Sequence, residues 1–260
     1  MALACAAHKM KTEIYVDYAA TTPLAKEVLE KMMPYLIEEY GNPGSFNAKG
    51  MRARDALDRA RNTVASGLQC KPSEIIFTSS GTESINLALQ GVTHTLKGKG
   101  KHIITSPLEH HAVLETCSYL KKHEGYAITY VPVDQYGMVH PKDVEAAITK
   151  ETVLISVMYA NNEIGTVNPI KEIAAIAKKR KVLFHTDACQ AGAYLNLNVQ
   201  ELGVDLLSLN GSKFYGPKGT GCLYKKTGVP LHPLIHGGGQ EHGFRSGTEN
   251  VAGIVGFAAA

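Results

Sequence analysis

Ser208-Leu-Asn-Gly-Ser-Lys-Phe-Tyr-Gly-Pro-Lys-Gly-Thr-Gly221 is the stretch on which the fold turns. It follows an apolar run, 204–209, that reads as a buried strand, and it sets Lys213 on a crowded turn before a Gly/Pro-rich segment. The C-terminal end of a strand is an odd place for a solvated charge. Desolvation there favours the neutral amine, the form that attacks an aldehyde. Taken alone, such a lysine is an ordinary loop residue, so the rest of a site has to come from elsewhere in the chain.

Outward from this turn, strand-like and helix-like segments alternate. Strands are expected at 13–17, 74–78, 102–105, 126–131, 152–158, 181–186, 204–209 and 220–224. Helices are expected at 25–40, 51–68, 81–96, 109–123, 141–148 and 169–179. Thr22 reads as an N-cap with Pro23 at the first helical position. Near-continuous apolar strands alternating with helices imply an α/β fold, a mostly parallel sheet with helices on both faces. Residues 1–12 are expected to be a disordered extension and 13–260 one large domain. The pattern dissolves into Pro and Gly over 230–239. The last residues look like the first turns of another helix, so a smaller C-terminal domain is expected to begin near 250–260.

The chain has 260 residues, 44% hydrophobic and 20% charged, with a net charge of +3. That is a foldable composition, and the charge is too small and too scattered to imply nucleic-acid binding. No apolar run approaches a membrane span, and the start is too poorly charged for a signal peptide. The five cysteines, Cys5, Cys70, Cys117, Cys189 and Cys222, form no C-x-x-C pair and no metal-ligand spacing. No metal is therefore expected, and the compartment expected is the reducing cytoplasm.

In open α/β sheets, ligands sit beyond the carboxyl ends of the strands. Those ends carry Gly81 and Thr82 at a helix start, a seat for phosphate; His110, which could stack on a flat ring; and Asn162 in a tight polar turn. They also carry Asp187, which could pair with a protonated ring nitrogen, and Lys213. Each has a plain alternative, such as a helix cap or a surface histidine. Together they match a cofactor with a phosphate, a planar ring, a basic ring nitrogen and an aldehyde, namely pyridoxal 5'-phosphate.

The runs Asp17-Tyr-Ala-Ala-Thr-Thr-Pro23, Gly41-Asn-Pro43, Phe77-Thr-Ser-Ser-Gly-Thr-Glu-Ser84, Glu109-His110, Ala160-Asn-Asn-Glu-Ile-Gly165, His185-Thr-Asp-Ala-Cys-Gln190, Lys213-Phe-Tyr-Gly-Pro-Lys-Gly219, Gly237-Gly-Gly-Gln-Glu241 and Arg245-Ser-Gly-Thr248 span nearly the whole chain. With them the sequence resembles the cysteine desulfurases and the related selenocysteine lyases, in class V of the fold-type I pyridoxal-phosphate enzymes. The resemblance implies removal of sulfur from L-cysteine, or selenium from L-selenocysteine. The products would be L-alanine and a protein persulfide for iron-sulfur cluster or other sulfur-transfer pathways. It implies Lys213 as the Schiff-base lysine, Asp187 on the ring nitrogen, His110 stacked on the ring, Gln190 at the ring hydroxyl and Asn162 at the ring edge. Gly81, Thr82, Asn210 and Ser212 would hold the phosphate, with Gly211 among the cofactor contacts. Thr248 would reach the phosphate of a neighbouring subunit, so a homodimer and a sulfur-acceptor scaffold protein are implied. Many members have histidine where this chain has Ser212. The family's sulfur-accepting cysteine and carboxylate-binding arginine lie beyond the Arg-Ser-Gly-Thr run and match nothing here.

Three other readings stay open. His236-Gly-Gly-Gly239 resembles the oxyanion segment of lipases, but no G-x-S-x-G elbow accompanies it. A class V aminotransferase or another lyase would keep the fold and change the reaction. A non-catalytic pyridoxal-phosphate-binding fragment would account for the unmatched cysteine.

Overall fold

The computed structural model describes residues 14–260; the extension expected over 1–12, and Cys5 with it, lie outside the described residues. Helices α1 (Lys26–Ile37) and α2 (Ala48–Leu68) come first, followed by the alternation that builds the sheet. Its elements are β1 (Ile75–Thr78), α3 (Gly81–Leu96), β2 (His102–Thr105), α4 (His111–Glu124), β3 (Ala127–Tyr130), α5 (Pro141–Ala147), β4 (Thr152–Ser156), α6 (Ile170–Arg180), β5 (Leu183–Asp187), α7 (Val199–Leu202), β6 (Leu206–Asn210) and β7 (Gly221–Lys225). Helix α8 (Val251–Ala259) closes the described chain.

The seven strands form one sheet in the order β1-β7-β6-β5-β4-β2-β3. Six run the same way, and β7 is antiparallel to both β1 and β6. Along β1, β6 and β7 every apolar side chain is buried, yet successive residues face opposite layers. Ile75, Phe77, Leu207, Leu209, Cys222 and Tyr224 pack on the side of α2, α6 and α8, whereas Ile76, Leu206 and Leu223 pack on the side of α3 and α4. Period-two alternation under cover on both faces is why these strands read as unbroken apolar runs.

The structure departs from the expectations at the N-terminus. Residues 14–17 form no strand, and Ile14 and Val16 are exposed. Thr22 caps no helix: α1 starts at Lys26 without a side-chain cap, and Thr22 is buried against the Lys213 turn instead. Helix α1 also stops at Ile37, short of residue 40. Helix α7 was not anticipated; Asn198 nucleates it by accepting hydrogen bonds from Gln200 N and Glu201 N. The helix expected near the end forms, capped by Asn250, and Phe257 packs edge-on against Phe77 and Phe214.

Candidate active site

At the carboxyl edge of the six co-directional strands lies a cavity of about 430 Å³, a size typical of a small-ligand site. Its wall is built from several turns. After β1, Ser80 Oγ accepts from Glu83 N at 3.1 Å and caps α3. The N–H groups of Gly81 and Thr82, the first two residues of α3, fall where a helix has no internal acceptor. A Cβ on Gly81 would lie 2.5 Å from Cys189 Sγ and 3.1 Å from Asn210 Cβ, so only glycine lets α3 approach β5 and β6 this closely. Glu83 folds back to accept from Ser79 N at 3.0 Å and from Arg245 Nε at 2.9 Å. Burial pushes its carboxyl up, but Arg245 and Ser79 outweigh burial and hold it below the ordinary range.

After β6 a 3-10 turn, Gly211–Lys213, presents the lysine. Lys213 Nζ donates to Ala19 O at 2.8 Å and Ala20 O at 2.7 Å, where the sequence had suggested a desolvated amine. The main chain of the turn is clasped as well. Thr22 N and Oγ1 both donate to Ser212 O, at 2.9 and 3.0 Å, and Tyr215 N donates to Thr22 Oγ1 at 2.8 Å. Tyr215 sits at φ +64°, a left-handed conformation that this clasp holds in a non-glycine residue.

Asp187, the last residue of β5, is buried, and its Oδ1 accepts from Cys189 N at 2.9 Å. Beneath it a polar chain crosses the sheet: Ser156 Oγ to His185 Nδ1 at 2.9 Å, His185 Nε2 to Ser208 Oγ at 3.0 Å, and Ser84 Oγ to Ser208 Oγ at 2.8 Å. Burial pushes the His185 imidazole down to about 3, so it is a neutral strut between β4, β5, β6 and α3. His110 precedes α4, and its Nδ1 accepts from Ala112 N at 3.0 Å. That bond makes the ring the cap of α4 and fixes the neutral tautomer with its proton on Nε2. Asn162 Nδ2 donates to Glu163 Oε1 at 2.6 Å.

Of the residues singled out in the sequence, Gly81, Thr82, His110, Asn162, Asp187, Gln190, Asn210 and Lys213 line this one cavity. Three others do not. Gly211 packs toward β7, where a Cβ would meet Thr220 Oγ1 at 2.4 Å. Ser212 offers its carbonyl to Thr22 and sets its hydroxyl 3.4 Å from Asn210 Oδ1. Thr248 lines a separate recess of about 160 Å³ with Ser79, Arg245 and Asn250. The sequence reading missed the contribution of Ala19 and Ala20, whose carbonyls hold the amine. It had quoted their run, but had taken the neighbouring residues for a strand and a cap. Ile85 and Met158, buried apolar walls of the cavity, carried no signal beyond ordinary core periodicity.

The donor set passes a test of fit for pyridoxal 5'-phosphate. Gln190 Oε1 is buried without a partner in the wall of the cavity, an acceptor that a ring hydroxyl would satisfy. Helix N–H groups, an amine, a buried carboxylate and a flat ring stand around the same space, which defines a class of cofactor-dependent α/β enzyme. Residues 14–260 match the aminotransferase class V family, and the chain belongs to it. It is 57% identical over 248 residues to the cysteine desulfurase IscS of Dictyoglomus turgidum, and 51% identical over 256 residues to that of Methanosarcina thermophila. These alignments cover 95% and 97% of this chain but 63% of each relative, so the chain spans less than two thirds of their length. Among solved structures, a NifS-like protein superposes with a TM-score of 0.92 at 46% identity, over 94% of this chain and 67% of the other. SspA, solved in complex with cysteine, gives 0.92 at 42% identity, over 95% and 71%.

Proposed function

We propose that the full-length protein is a pyridoxal-phosphate-dependent cysteine desulfurase. The observation that carries this reading is the convergence of Lys213, Asp187, His110 and the α3 N-terminus on one cavity. When bound, the cofactor supplies a covalent anchor for an amino acid and an electron sink for its α-carbon. The chain's own residues do the rest. Lys213 offers the amine, and two backbone carbonyls orient it. Asp187 provides a buried negative charge for the ring nitrogen. Gly81 and Thr82, with Asn210, take the phosphate, and Gln190 takes the ring hydroxyl. His110, its Nδ1 held by Ala112 N, would lie against the ring and would be placed to pass a proton.

Sulfur transfer also needs an accessible thiolate. Among the described residues, burial pushes the Cys70 and Cys117 thiols up to about 12 and raises those of Cys189 and Cys222 as well. The acceptor thiol in this reading therefore lies outside the described residues. Thr248, turned away from its own cavity, would serve the phosphate of a second copy, which makes the functional unit a homodimer. We further propose a cytoplasmic protein that hands its sulfur to a scaffold for iron-sulfur clusters. Among the described residues no helix is long and apolar enough to cross a membrane.

The test uses full-length protein supplied with pyridoxal phosphate. Borohydride should trap a stable adduct on Lys213, Lys213→Ala should give none there, and L-cysteine should yield sulfide and alanine. An adduct trapped at another residue in Lys213→Ala would overturn the site. Selenide from L-selenocysteine alone, or a keto acid in place of sulfide, would move the protein to a sister activity.

A further inference from the structure

One buried acid beside the cavity has no part in that chemistry. Glu109 is 6% exposed. Its Oε1 accepts from Ser106 Oγ at 2.8 Å and from Met158 N at 3.0 Å, and its Oε2 is buried with no partner. The first bond closes the turn between β2 and α4, and the second reaches across to the segment leaving β4. Asn161 adds a parallel tie, its Nδ2 donating to Leu108 O at 2.9 Å. The next residue along the chain is His110. The turn that carries the ring is thus fastened to the segment leaving β4 by the Glu109 carboxyl and by the Asn161 amide.

An ionised carboxylate would leave a charged oxygen buried without a donor, which costs far more than a neutral acid in the same place. Asp187, at the end of β5, makes this worse, and the Cys117 thiol of α4, itself raised by burial and by Glu109, supplies no cation. We propose that Glu109 is a positioning residue that works as an uncharged acid, pinning the His110 turn to the end of β4. Burial pushes the Glu109 carboxyl up to about 8; the bonds from Met158 and Ser106 oppose this, and Asp187 adds to it. With Oε1 taken up by two donors, the proton belongs on Oε2.

The sign of the pH effect follows. An unfolded glutamate ionises near pH ~4.3, whereas the folded one holds its proton to about 8. Between those values unfolding releases a proton, so stability declines as pH rises and levels off above the folded value. Glu109→Gln keeps the acceptor and the neutral charge and has no such slope.

The proposal rests on the pyridoxal-phosphate reading for its consequence at the ring, and the experiment separates the two. In full-length protein, the thermal midpoint of Glu109→Gln minus that of the wild type should widen by several degrees from pH 5 to pH 8. At pH 7, the visible circular dichroism and absorbance of bound pyridoxal phosphate should be unchanged in Glu109→Gln. In Glu109→Ala they should shift, with affinity for the cofactor down at least about tenfold, the effect expected of a lost supporting bond. A pH-independent midpoint difference would overturn the proposal. So would a Glu109→Gln spectrum displaced as far as that of Glu109→Ala, or a Glu109→Ala spectrum like the wild type. If Glu109→Ala does not fold, the pH-dependent midpoint and the Glu109→Gln spectrum still decide. If wild-type protein binds no pyridoxal phosphate, the cofactor reading fails, and the midpoints alone judge the acid.

Discussion

Gly81 and Asp187 set the limits of what single residues do in this cavity. A methyl at Gly81 would have to displace the Cys189 sulfur, 2.5 Å away, or move the first turn of α3 off its seat. Gly81→Ala is expected to weaken pyridoxal-phosphate binding at least about tenfold, the scale of a buried overpacking strain. Cys189→Ala in the same chain should restore part of the loss, and the coupling is read from cofactor titrations of the four proteins of the cycle. Asp187→Asn should keep the cofactor and slow exchange of the substrate α-proton by ~10²-fold, the usual worth of a preorganised charge. Deuterium exchange followed by NMR checks this, and unchanged exchange would remove Asp187 from the chemistry. Both residues were legible in the sequence because each stands at the junction of an apolar strand and a polar turn. Glu109, Gln190 and the carbonyls of Ala19 and Ala20 were less so. What marks them is an unpartnered atom or a close approach, which exists only after the chain has folded.

Individual elements are held by polar ties that periodicity does not reveal. The loop after β7 carries Glu241 at φ +49° into the interior. There it takes two bonds from Arg61 of α2, at 2.7 and 2.9 Å, and one from Phe77 N of β1 at 2.8 Å, while Arg61 also donates to Ile75 O at 2.7 Å. The run His236-Gly-Gly-Gly239, which resembled an oxyanion segment, is thus the approach to a structural anchor. Removing one partner of a buried pair strands the other, so Glu241→Ala should cost ~3–5 kcal/mol in urea unfolding. Double replacement by apolar residues of similar size should cost less. The Thr22 clasp is a similar tie: Thr22→Val should slow trapping of pyridoxal phosphate at Lys213, and Thr22→Ser should restore it. The sequence placed most strands and helices to within two or three residues, because apolar runs and breakers are local. It erred at 14–17, which stay exposed without a strand, and at Thr22, which answers to a turn nearly two hundred positions away.

For the molecule as a whole, the described thiols bear directly on the proposed sulfur transfer. At pH 8 an exposed-thiol reagent should leave Cys117 and Cys222 unlabelled in folded protein, since both are buried and raised. Serine at Cys70 or Cys117 should leave sulfide release by full-length protein within about twofold; a complete loss at either would identify the acceptor this reading lacks. The strand order carries a different consequence, one of timing. Helix α3 and the Lys213 turn share a wall of the cavity, but β1 does not touch β6; β7 is wedged between them. A nascent chain that has emerged only as far as residue 213 has every cavity-lining residue but not β7, the strand that joins β1 to β6. Pairings this distant in sequence form late, after much loop entropy has been lost. On the ribosome a chain emerged only to residue 213 should therefore be unable to capture cofactor, and competence should arrive abruptly as residues 221–225 leave the exit tunnel.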